Sequence, residues 1–265
     1  MRRVRGALSV AAVTVSVFGT VTGCATKGIP YKSPSTAAAA PTAAATAPTS
    51  VPTGLPAASM PPLAPASGQL TGTELESVLL PASSFPAGFT APSSGPVTSG
   101  DSLVAAPATN NLATMSCVLF VQQLGSTGFG ETALAAVSLS GTKQAYGELV
   151  YQFASASAAT GFVSGIAALA GRCGSFTVTS GGHTGAFSLK AARGAPLGGH
   201  PTLSTAESGS TAGTTLGIST LFSVSGVDVF AVSAVGVNAG PPAVPAADTI
   251  IYSLMKRQAA AALLG

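Results

Sequence analysis

Residues 214–237 read TTLGISTLFSVSGVDVFAVSAVGV, and this stretch decides the fold. Two long runs rich in Val, Ile, Thr and Phe, 214–224 and 227–237, meet at Ser225-Gly226. That pattern reads as two strands joined by a tight turn. Along the second run Val227, Val229, Ala231, Ser233, Val235 and Val237 fall on one face, because strand side chains alternate. Both faces of the hairpin are nonetheless fairly apolar. Each must be covered by another layer, or one of them lines a pocket.

Working upstream, a Gly-rich loop at 194–201 precedes the hairpin. Residues 176–179 and 184–191 read as strands around a Gly181-Gly182 turn. A helix before them is capped by Ser155 or Ser157 and carries the stripe Ala159, Phe162, Val163, Ile166 and Ala170. It ends near Gly171, with Cys173 just beyond. Earlier still, 132–140 and 147–154 read as strands. In the second of these Leu149, Tyr151 and Phe153 point one way and Glu148 and Gln152 the other.

Ala113, Cys117, Val121 and Leu124 recur at helical spacing, which predicts a helix beginning near Thr109 or Asn110. Residues 93–108 read as loop, and 85–89 as a turn with Phe85 and Phe89 as anchors. The first helix has two possible capping boxes, Thr71 with Glu74 or Thr73 with Glu76. Its stripe is Leu75, Val78 and Leu79, and Pro81 stops it. Downstream of the hairpin, 238–245 breaks the chain. A last helix over 246–263 turns Ala247, Ile250, Ile251, Leu254 and Met255 inward, with Asp248 and Lys256-Arg257 placed to suit its dipole.

The order helix, helix, strand pair, helix, four strands, helix defines an α+β domain over 69–265, with a mostly antiparallel sheet flanked by helices. Regular βαβ alternation is missing, which argues against a Rossmann arrangement. Ala25 to Gly68 is Ala/Pro/Thr/Ser-rich without hydrophobic period, a composition expected to form a disordered tether. Ahead of it, Arg2, Arg3 and Arg5 open an uncharged Ala/Val-rich run that ends in Val21-Thr22-Gly23-Cys24. A positive start, a short apolar stretch and small residues before a Cys read as a signal peptide over 1–23. The run falls short of the roughly 20 apolar residues of a membrane span. Cys24 is placed as the lipidated first residue of a bacterial lipobox, although Val21 and Thr22 depart from its usual Leu and Ala or Ser. Two acyl chains there give stable anchoring on the extracytoplasmic side of the cell membrane.

Only 7% of the 265 residues are charged, against about 25% in soluble proteins generally. Removing 1–23 takes away three Arg and leaves eight basic and eight acidic residues. A neutral mature chain has no electrostatic footprint for nucleic acid. With 3 Cys and 2 His there is no multi-ligand zinc framework, and no cofactor or metal is expected. Once Cys24 is acylated, Cys117 and Cys173 remain as a pair. In an exported chain they read as a disulfide tying the second helix to the third, against the alternative of a reactive or metal-binding thiol pair. The closed loop of about 57 residues is worth about 4 kcal/mol in the chain-entropy account.

Catalytic patterns are sparse. Ser140-Gly141-Thr142-Lys143 matches S-x-x-K, which would make Ser140 a nucleophile and Lys143 its base at the cell wall. It lacks the accompanying K-T-G and S-D-N and sits at a strand end. No G-x-S-x-G elbow or Walker A loop is present. Glu74 and Glu76 belong to a helix cap, Asp228 to a turn and Asp248 to a first helical turn. His183 and His200 read as exposed loop residues.

Leu75 to Phe89, the lone Cys117, Val150-Tyr151-Gln152-Phe153, the small-residue helix over 155–171, and Cys173 together resemble the extracellular sensor domain of the mycobacterial receptor kinase PknH and the free-standing actinobacterial lipoproteins that share it. The resemblance covers most of 70–260. The kinase's domain has two disulfides where this sequence has Cys for one. It implies a mixed antiparallel sheet flanked by helices around a cleft, and a ligand-sensing role; it transfers no catalytic residue.

The functional expectation is a non-catalytic, membrane-anchored domain that binds a small envelope molecule or a protein partner. A cavity beside 214–237 is what the small-molecule version requires; without one there, a protein partner is the preferred ligand. The alternatives are a serine hydrolase using Ser140 and Lys143, and a structural envelope protein.

Overall fold

A computed structural model describes residues 60–65, 68–85, 88–92, 95–100, 110–123, 127–141, 144–180, 183–211, 213–242 and 246–263. The signal segment, Cys24, most of the tether and Lys143 lie outside these residues.

Among the described residues, eight strands form one antiparallel sheet in the order β1-β2-β3-β8-β7-β6-β5-β4. They are β1 (Val97–Ser99), β2 (Glu131–Ser140), β3 (Gln144–Phe153), β4 (Phe176–Ser180), β5 (His183–Arg193), β6 (Thr202–Thr211), β7 (Thr214–Ser225) and β8 (Asp228–Val237). The helices are α1 (Gly72–Glu76), α2 (Cys117–Gln123), α3 (Ala156–Arg172) and α4 (Ala247–Ala261). The α+β architecture expected from the pattern is what forms.

The β7–β8 hairpin sits beside β3 near the middle of the sheet, and its turn uses Gly226 at φ 60°. All of β8 except its last residue is buried, because helices cover both faces. On one face Phe230, Val232 and Ala234 meet Ile251 and Leu254 of α4 and Leu75 of α1. On the other, Val229, Ala231 and Phe222 pack with Phe162, Ile166 and Leu169 of α3. Burying each such side chain contributes about 1.5–3 kcal/mol. A third apolar cluster, Leu216, Ile218 and Val235 with Ala145 and Val237, consists of strand residues alone.

Local chemistry sets the ends of the helices. Of the two possible capping boxes Thr71 and Glu74 form the real one: the Glu74 N–H donates to Thr71 Oγ1 at 3.2 Å and the Thr71 N–H to Glu74 Oε2 at 2.7 Å. Ser155 caps α3 by accepting the Ala158 N–H at 3.2 Å.

Four expectations need correction. The second helix starts at Cys117, not near 109. Asn111 Oδ1 takes the Ala113 N–H at 2.9 Å, and Ser116 Oγ takes the Leu119 N–H at 3.2 Å. These side chains offer the backbone a turn and then a helix cap. The reading of 93–108 as loop misses β1, three residues paired with Leu134 to Ala136. Residues 202–211, given no element, form the ten-residue β6. Finally, β3 begins at Gln144 rather than Gly147, because Gln144 to Tyr146 extend the ladder with both β2 and β8.

Candidate functional site

The last turn before α2 and the N-terminal half of α3 face each other over the end of the sheet. Between them lies an open groove of about 510 Å³. Its floor is three phenyl rings, Phe129, Phe153 and Phe162, and its sides are Asn110 to Ala113 and the Ala158–Gly161–Gly165 edge of α3. The rings form a connected set: Phe162 lies 5.2 Å from Phe129, 5.3 Å from Phe153 and 5.1 Å from Tyr151 by centroids. These are ordinary aromatic packing distances.

The wall is tied down at several points. The Asn110 N–H donates to Gly128 O at 2.8 Å and Asn110 Nδ2 to Thr127 O at 3.2 Å. Arg172 Nη2, at the far end of α3, donates to Leu112 O at 2.9 Å. Cys117 and Cys173 are bonded, with Cα atoms 5.6 Å apart, which holds α2 against the end of α3. Glycine makes the close approach possible: a Cβ at Gly165 would sit 2.8 Å from Leu112 Cδ1. A Cβ at Gly161 would meet nothing within 4 Å, so that position opens onto the cavity.

Among the described residues the lining holds amides, aliphatic groups and phenyl rings and no ionisable side chain. Such a surface can hold an apolar body and hydrogen-bond a polar tip; it has no group to move a proton or attack a carbonyl. This groove lies at the N-terminal half of α3, and no residue of the hairpin at 214–237 lines it. It does not meet the condition set for a small molecule at the hairpin, and a small-molecule reading rests on this other site alone.

The buried ionisable groups lie elsewhere. On the α4 side Glu148 Oε2 accepts the Leu80 N–H at 2.9 Å. Burial pushes its carboxyl up to about 7, against the opposing pull of that N–H and of Arg257. Arg257 in turn donates from Nε to Val78 O at 2.8 Å and from Nη2 to Ser77 O, clamping α4 to the end of α1. Asp228, expected as a turn acid, is fully buried at the start of β8. Burial raises it to about 7, and the amide of Gln152 opposes the rise. Glu207 on β6 is also raised to about 7 by burial, and its Oε1 has no hydrogen-bond partner among the described residues.

Ser140 is exposed at the end of β2, with its N–H and C=O bonded to Thr90 at 3.0 Å each. Lys143 lies outside the described residues. His200 corrects the sequence reading: it is buried at 8% exposure and its Nε2 lies 3.0 Å from Leu63 O. His183 falls at the start of β5. Among the described residues no cluster of three His, Cys, Asp or Glu could hold a metal, and no helix is long and apolar enough to cross a membrane.

No protein-family model and no curated protein matches the sequence. The fold is that of the extracellular domain of PknH from Mycobacterium tuberculosis, with TM-score 0.51 and 20% identity over 72% of this chain and 98% of that one. A Mycobacterium smegmatis protein, the Rv0999 ortholog, is similar over 72% of this chain and 97% of its own, with 12% identity and TM-score 0.36. The architecture is therefore that of the PknH extracellular domain.

Proposed function

We propose that this chain is a lipid-anchored, extracytoplasmic protein of the cell envelope whose domain binds a small apolar or amphipathic envelope molecule without catalysis. Cys24 carries the lipid after removal of 1–23, and the tether lifts the domain from the membrane. The signal pattern, the Cys117–Cys173 bond and the fold shared with an extracellular domain all support that placement.

The observation that carries the binding role is the site under α3. It is an open groove of about 510 Å³, of the size of ligand sites at roughly 300–1,000 Å³, and it combines an apolar floor with a few polar groups. The three phenyl rings fit a hydrocarbon chain or ring, and Asn110 and Asn111 fit a hydroxyl or amide at its end.

An apolar fluorescent probe titrated into the mature protein tests this. Binding should be saturable at one site and abolished by Phe162→Ser in a chain that still melts cooperatively. Labelling of Ser140 by a serine-reactive phosphonate would instead favour a hydrolase. The anchor is tested separately: Cys24→Ala should move the chain from the membrane to the soluble fraction, and an unchanged distribution would remove the lipid from the account.

A further inference from the structure

The segment just ahead of α1 lies against the domain, and its contacts have a definite chemistry. Tyr252 of α4 donates its hydroxyl to Pro61 O at 3.1 Å. The Leu63 N–H donates to Gly198 O at 3.1 Å, and the Leu63 carbonyl lies 3.0 Å from His200 Nε2. A carbonyl only accepts, so Nε2 carries the proton in this contact. Met60 and Leu63 pack against the core cluster that contains Leu197 and Ile251.

The receiving surface is stiff. Leu197 and His200 exchange both backbone hydrogen bonds at 2.9 Å around Gly198-Gly199, which have φ 56° and 88°. A Cβ at Gly198 would sit 3.2 Å from the Tyr252 ring, 3.3 Å from Pro61 O and 3.5 Å from Leu63 Cγ. Glycine there lets the incoming backbone lie close to the turn.

The occupant suits this surface for physical reasons. Pro61 and Pro62 hold φ near −65°, Pro62 disfavours helix at Pro61, and neither has an N–H. The segment therefore arrives extended, at low entropic cost, with carbonyls that want donors. Proline-rich segments in general dock against aromatic-lined grooves, and here the aromatic residue is Tyr252, whose hydroxyl also donates to Pro61 O. We propose that the Leu197–His200 turn and Tyr252 form a recognition groove for an extended Pro-Pro-Leu segment, filled in cis by this chain's own Met60–Leu63. A short connection to α1 keeps the cis segment at a high effective concentration, so the groove excludes free peptides while it is filled.

The test uses the mature full-length chain and a fluorescein-labelled peptide covering residues 58–65. With Met60→Ser and Leu63→Ser emptying the groove, the chain should bind the peptide at least about tenfold tighter than the unsubstituted chain does. Adding Tyr252→Phe should weaken that binding about threefold to tenfold, and a peptide with Ser at the Leu position should not bind. Equal binding by emptied and unsubstituted chains, or equal binding of a scrambled peptide, overturns the proposal. If the emptied chain does not melt cooperatively, hydrogen exchange at the Leu63 amide decides. It should be protected in the unsubstituted chain and faster in Tyr252→Phe, whereas exchange at the unstructured rate in both overturns the proposal.

Discussion

Gln152 donates its side-chain Nε2 to Asp228 Oδ1 at 3.0 Å across neighbouring strands of a covered sheet. The same amide accepts the Leu70 N–H through Oε1 at 2.8 Å. One buried side chain therefore satisfies a carboxyl at the start of β8 and a backbone donor just ahead of α1. The polar side of β3 is a structural junction, and the chemistry of the candidate site is elsewhere.

Gln152→Leu should accordingly be costly although it adds apolar volume. It strands a buried N–H and removes the only described partner of Asp228 Oδ1. Each orphaned group costs about 1–3 kcal/mol, so the urea midpoint should fall by an amount worth about 2–4 kcal/mol. A neutral result would show that water reaches both groups.

Stability should fall as pH rises from about 5 to 8. Glu148, Glu207 and Asp228 are each raised to about 7, from ordinary values of 4.5, 4.5 and 3.8. Between those values and 7 the folded chain holds more protons than the unfolded one, so stability is lost with increasing pH. Their contribution is complete below the ordinary values and disappears as pH passes through 7. Glu207→Gln should flatten the urea-midpoint profile between pH 5 and 8, with its gain appearing at pH 8. A profile that rises over this interval in the unsubstituted chain would contradict the assignment.

Opening the Cys117–Cys173 bond should cost about 4 kcal/mol in the chain-entropy account. It should also loosen the cavity wall, because the bond anchors α2 directly after that wall. The double Cys→Ser chain should show a lower melting temperature and faster amide exchange at Leu112 and Ala113. Unchanged exchange there would mean that the Arg172–Leu112 hydrogen bond suffices to hold the wall.

Gly161→Leu should raise stability while removing binding. An exposed mid-helix glycine costs about 0.5–1 kcal/mol relative to a good helix former. The new side chain enters open space at the cavity. Calorimetry should show a higher melting temperature, and probe titration no saturable site. Retained affinity would place the ligand elsewhere.

The elements that were legible in the sequence are those whose buried positions are apolar. The hairpin, α3 and α4 declare themselves because Val229, Phe230, Phe162, Ile166, Ile251 and Leu254 recur at strand or helix spacing. β6 did not, since the positions that its ladder aligns with Phe222, Thr220, Ile218 and Leu216 of β7 are Leu203, Thr205, Glu207 and Gly209. Only one of those four is a large apolar residue. β1 is too short to show a period. His200 looked exposed because its partner, Leu63, lies 137 residues away in sequence. The cavity is likewise assembled from segments around 110, 129, 153 and 161, which no local pattern connects. The one signal that could have hinted at it is Ala158, Gly161 and Gly165 on one edge of α3, where small residues leave room.

The most direct test of the binding account is chemical analysis of protein purified without denaturation from its native source. Organic extraction followed by mass spectrometry should release one apolar or amphipathic molecule per chain from the unsubstituted protein, and none from Gly161→Leu. Recovery of the same molecule in equal amount from both, or of no molecule from a chain that also binds no apolar probe, would contradict a ligand site beneath α3.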